Sequence, residues 1–126
     1  MGPLALPSLD WDNYLENFAV AAAFRDLKRL TSRAIALHSS SCVPALSGSF
    51  YCAWKDAIHI FIDESSPRVF HSTVHELLHG ILVEEGYSKI AARLPTSVNR
   101  ILSNELQHPE IFRRMKCYGL DMGPYW

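Results

Sequence analysis

Cysteine is scarce in this sequence. Cys42, Cys52 and Cys117 are odd in number, far apart, and form no CxxC pair. Neither a thiolate metal site nor a disulfide framework is indicated, and a reduced, cytoplasmic protein is the simplest expectation. An excess of one charge is lacking too: the formal net charge is −1 at pH 7, so no strong field draws the chain to nucleic acid or an anionic membrane. The basic cluster Arg113, Arg114 and Lys116 is short enough to be the solvated face of a helix. There is no basic stripe interleaved with aromatics. No apolar run reaches the length of a membrane span. The opening residues, MGPLALPSLDW, lack the basic region and apolar stretch of a signal peptide. Leu6 sits where a myristoylation motif wants Ser or Thr. No repeat or low-complexity segment divides the chain. What is present is one core's worth of apolar residues, 48% of 126, which suits a single domain over residues 1–126.

Local signals order the elements. Asp10 or Asp12 can cap an amphipathic, alanine-rich helix that runs on to about Leu37, with one possible break. Ser, Pro and Gly in HSSSCVPALSG then stop it. SFYCAW and AIHIFID are rich in aromatic and β-branched residues. Ile58, Ile60 and Ile62 alternate with His59 and Phe61, so a β-hairpin is expected around Lys55-Asp56. Ser65 or Ser66 can cap a following helix, with Pro67 in its first turn. Val74, Leu77, Leu78, Ile81 and Leu82 make the apolar stripe of that helix, and Gly86 ends it. A short helix is expected over residues 88–94. Another should run from Thr96 or Ser97 to about Gln107, and a last one from Pro109 to Gly119.

The second of these helices carries His75-Glu76-Leu77-Leu78-His79, the pattern HExxH. Residues i and i+4 share a helix face about a turn apart, so two imidazoles can reach one ion. Glu76 is rotated about 100° from His75, which suits a base acting on water beside the ion rather than a ligand to it. The pattern alone arises by chance in chains with several histidines. Its uncharged inner residues and apolar flanks, with no proline, read as an active-site helix packed in a core. The competing reading is a core helix whose histidines bond to backbone or to each other.

A catalytic zinc ion takes three protein ligands and keeps a position for water. His71 lies four residues before His75, but it is about 12 Å along the helix from His79, too far to share an ion. It fits a structural or supporting role better. On the next helix, Val98, Ile101, Leu102 and Glu105 fall at i, i+3, i+4 and i+7. Glu105 therefore takes a core-facing position, where a carboxylate is costly unless paired or bound to metal. Its alternative is an ion pair with a nearby lysine or arginine. His108 shares that face.

The motif, followed downstream by Asn104-Glu105, resembles the gluzincin metallopeptidases, in which a glutamate on a later helix is the third ligand. The order of helix, hairpin and PRVFHSTVHELLHGIL looks like the compact ImmA/IrrE-type zincins. The resemblance covers roughly residues 48 to 110. It departs in two places. His108 stands where Asp is commoner, and the alanine-rich pattern downstream is missing. The resemblance implies Zn²⁺ held by His75, His79 and Glu105, with Glu76 as general base in peptide-bond hydrolysis. His108, His71 and Tyr87 are the candidates for oxyanion stabilisation or second-sphere support. The expected fold is α+β, a small zincin-like domain with helices around a hairpin-containing sheet. The expected activity is zinc-dependent cleavage of a protein or peptide, with no nucleic acid or membrane partner. The alternative function is a zinc-binding regulatory or interaction module with little peptidase activity.

Overall fold

The computed structural model describes residues 7–43, 50–54, 57–86 and 96–123, with backbone alone for residues 50, 52–54 and 96–106. The helix expected to run on to Leu37 is instead two helices and a strand. Asp10 accepts a hydrogen bond from the Asp12 amide (2.9 Å) and opens only a single turn, α1 (Asp12–Leu15). Asn17 then caps α2 (Phe18–Leu30), its side chain accepting from the Val20 amide. This cap satisfies one of the amides a helix start leaves without partners. Thr31 is extended and ends α2. AIALHS continues as β1 (Ala34–Ser39). Short aliphatic runs fit either period, and pairing with a partner strand decides between them.

That partner is β3 (Ala57–Ile62). β1 runs parallel to it, with Ile35 opposite Ile58 and Leu37 opposite Ile60. β2 (Phe50–Trp54) pairs antiparallel on its other side, Tyr51 opposite Ile60. The expected hairpin is thus present, inside a three-stranded sheet of order β1-β3-β2. The domain is mixed α+β. β3 is central and buried along its whole length. Ile58, Ile60 and Ile62 join Ile35 and Leu37 in the hydrophobic core, together with Val20, Ala23 and Leu27 of α2. The outer side of β1 is occupied. The Leu37 carbonyl accepts from the Leu9 amide at 2.7 Å, and the Ile35 carbonyl accepts from the Trp11 indole at 2.8 Å.

Helix α3 (Val69–Glu84) is buried without interruption from Thr73 to Leu82. A helix enclosed this way has no solvated face for its polar residues. Neither Ser65 nor Ser66 is its N-cap. Arg68 takes that position without a capping side chain, and Ser66 spends its hydroxyl on the Arg68 amide at 3.1 Å. Gly86 (φ 94°) follows the C-terminus in the left-handed conformation that glycine adopts most easily. α4 (Thr96–Cys117) is one continuous helix with Pro109 inside it, not two helices. Its Gln107, Ile111 and Met115 form a buried stripe at i, i+4 and i+8. Arg114 fastens α4 to the end of α3, with hydrogen bonds of 3.0 and 2.8 Å to Glu85. Tyr118 donates to Asp26 of α2 at 2.6 Å. The short helix expected over residues 88–94 lies outside the described residues. Among the described residues, no helix is long and apolar enough to cross a membrane.

On the sheet face away from the isoleucines, two histidines form a chain of hydrogen bonds. The Pro7 carbonyl is an acceptor only, so His38 Nδ1–H donates to it at 2.8 Å. With its proton on Nδ1, His38 accepts at Nε2 from His59 Nδ1–H, also at 2.8 Å. This leaves His59 Nε2 a bare lone pair, buried with no donor among the described residues. Burial, and the neighbouring His38, lower the His59 pKa below its ordinary 6.5.

Two predictions follow from this packing. At Gly80, α3 packs tightly on α2 and β2: a Cβ there would lie 3.1 Å from Leu27 Cδ2 and 3.3 Å from Tyr51 Cε2. Gly80→Val should therefore cost about 1–3 kcal/mol by overpacking, read from chemical denaturation. The second concerns pH. The native state disfavours the proton on His59 and the unfolded chain accepts it near 6.5, so this stability is present above pH 6.5 and is lost as pH falls through the lower folded value. In chelator, His59→Leu should show a shallower fall of stability below pH 6.5 than the wild type.

Candidate metal centre

The burial of α3 carries the whole HExxH motif into the interior. His75 is 9%, Glu76 4% and His79 8% exposed. The imidazoles meet as their i, i+4 spacing requires, with Nε2 atoms 3.2 Å apart. Two nitrogens bound tetrahedrally at zinc-like distances of 2.0–2.1 Å would stand about 3.3 Å apart. The pair is therefore already at ligand spacing.

The third group comes from α4. His75, His79 and His108 each bring a ligand atom within 4.8 Å of the other two, close enough to hold a metal ion. The His108 ring centroid lies 5.3 Å from that of His75 and 5.5 Å from that of His79. Phe112, one turn along α4, stacks on His108 at 5.7 Å and fixes its side. The set of three nitrogens, borderline in softness, suits zinc and other late divalent metals.

Electrostatics keep these rings ready. Burial, then the neighbouring His79 and His108, hold the His75 pKa down to about 3. Burial also lowers that of His79, opposed by its hydrogen bond to Gln107. Neutral imidazoles bind metal without first shedding a proton. The Glu76 carboxylate stands 4.0 Å from His75 Nε2, beside the ligand nitrogens rather than among them.

The other sequence candidates fall elsewhere. Glu105 is on α4, one turn before His108, but its side chain lies outside the described residues, as does all of Tyr87. His71 does not join the cluster. Its Nε2–H donates to the Asp121 carbonyl at 2.6 Å, and it lines an open cavity of about 500 Å³ with Ser66, Pro67, Arg68 and Asp121. His108 enters as a metal-directed group, where the sequence pointed to an oxyanion or supporting role. Gln107 was missed. Its side-chain oxygen accepts from His79 Nδ1–H at 2.7 Å. The available signal is its place at i of an i, i+4, i+8 stripe with Ile111 and Met115, which marks a buried position.

Compared with protein-family models, curated proteins and solved structures, the chain has no match. The chemistry of the site therefore rests on its own geometry.

The geometry places His108 close enough to the motif histidines to share an ion with them. Cobalt(II) titration followed in the visible range should show His108→Ala weaker than wild type by more than the roughly 10- to 100-fold that loss of an outer partner costs. A larger loss in Glu105→Ala than in His108→Ala would instead make the glutamate the third ligand.

Proposed function

We propose that the protein is a zinc-dependent hydrolase of the peptidase type, with the ion held by His75, His79 and His108. The observation that carries this reading is the convergence of two buried imidazoles and a partly buried third beside one buried carboxylate, that of Glu76. A site that only stabilises a fold is closed by four ligands and has no use for a base at its side. Here Glu76 is held next to the ligand nitrogens without being one of them.

Bound zinc would supply a Lewis acid that polarises a carbonyl and acidifies water. The chain's own residues do the rest. Glu76 accepts a proton from the attacking water and returns it to the leaving amine. The burial of its carboxylate strengthens its interaction with charge developing beside it. His75, His79 and His108, backed by packed neighbours, would hold the ion in place.

The sheet supports a peptide as the substrate. β1 has its outward carbonyls at Ile35 and Leu37 occupied. Among the described residues, β2 is the other outer strand, and its Tyr51 packs beside Gly80, next to His79. An extended segment adding to β2 would run alongside the motif helix, the mode of recognition that uses backbone hydrogen bonds for affinity.

Glu76→Gln separates catalysis from metal binding. The variant should keep wild-type zinc content and lose about 10²- to 10⁴-fold in cleavage of a quenched fluorescent peptide library, the usual share of a general base. Retained cleavage would remove Glu76 from the mechanism. Zinc uptake with no cleavage by wild type across the library would favour a zinc-binding module.

A further inference from the structure

We infer that Gln107 is a positioning residue: it fixes the tautomer and orientation of His79 and thereby presents His79 Nε2 to the metal. The inference rests on the metal reading above and adds a residue that the motif does not contain.

The argument starts from the chemistry of imidazole. A neutral histidine carries its proton on one nitrogen, and the hydrogen bond made by that nitrogen decides which one is free. Gln107 Oε1 lies 2.7 Å from His79 Nδ1. With the amide oxygen as acceptor, Nδ1 keeps the proton and Nε2 is left bare. Nε2 is also the atom facing His75, at 3.2 Å. The two sides of the ring are thus assigned together, one to Gln107 and one to the centre.

Gln107 is well placed to enforce this. It is 5% exposed and heads the buried stripe continued by Ile111 and Met115. An amide oxygen buried there needs a donor, and His79 is its partner. Consecutive residues on a helix point about 100° apart. One step of α4 can therefore send His108 to the centre and Gln107 to the far edge of the His79 ring. The two residues bracket His79 from a single helix, so docking of α4 on α3 supplies a ligand and orients another in one event. A neutral amide fills a position that a carboxylate often takes beside metal-bound histidines. It fixes the ring without adding a negative charge.

The test uses Gln107→Leu, which removes the acceptor, and Gln107→Glu, which restores one at the same reach. Folded variants are confirmed by their amide NMR spectra. In metal-free wild type, long-range ¹H–¹⁵N spectra should show His79 protonated at Nδ1. Gln107→Leu should show a mixture of tautomers. Cobalt(II) titration should then give binding about 10- to 100-fold weaker in Gln107→Leu, with an altered visible spectrum, while Gln107→Glu binds at least as tightly as wild type. The inference is overturned if Gln107→Leu matches wild type in tautomer and in cobalt affinity, or if wild-type His79 carries its proton on Nε2. Should Gln107→Leu fail to fold, weaker cobalt binding in Gln107→Glu than in wild type contradicts the inference on its own. Failure of wild type to take up cobalt, with the Nδ1 proton of His79 in place, overturns the metal reading and leaves the grip of Gln107 on His79 standing.

Discussion

The enclosure of α3 on every side from Thr73 to Leu82 is the constraint from which the rest of the structure follows. Leu77, Leu78 and Leu82 are fully buried, and each such side chain contributes roughly 1.5–3 kcal/mol by leaving water. That gain carries His75, Glu76 and His79 inward as well, where polar groups are costly unless matched. The helix could be buried this way only with partners waiting for those groups. His79 finds Gln107, and the motif histidines find His108. The same burial disfavours the charged form of His75 and His79, and a metal requires the neutral one. Packing and site chemistry are one problem with one solution.

The solution depends on where α4 lies. It brings both Gln107 and His108, and it is held by contacts away from the centre. Ile111 and Met115 seat it in the core. Arg114 ties it to Glu85 by two charge-assisted hydrogen bonds, the arrangement that gives an arginine both strength and direction. Tyr118 reaches Asp26 on α2. Pro109 sits directly after His108 and removes the amide that would bond to the carbonyl of residue 105. The helix nevertheless continues, because its stripe of buried residues runs through the proline.

The parts of this arrangement visible in the sequence are those set by local period. Ile58, Ile60 and Ile62 alternate, and the hairpin follows. The stripe from Val74 to Leu82 gives α3, and the i, i+4 histidines give two of the three imidazoles. What was hidden depends on tertiary contacts. AIALHS has no strand signal of its own and becomes β1 because β3 lies beside it. Pro109 reads as a helix start until the burial of Gln107 and Ile111 on either side of it is known. Glu105 and His108 share a helix face, so spacing could not rank them. The position of α4 against α3 brings the His108 ring to the motif. Gln107 carries no ionisable group to draw attention, and only its contact with His79 gives it a role.

X-ray absorption at the zinc edge, on protein loaded with one equivalent of zinc, tests the central claim most directly. The account requires imidazole scattering from three histidines around the ion, reduced to two in His108→Ala. A centre with one imidazole or none, or a protein that takes up no zinc, would contradict it.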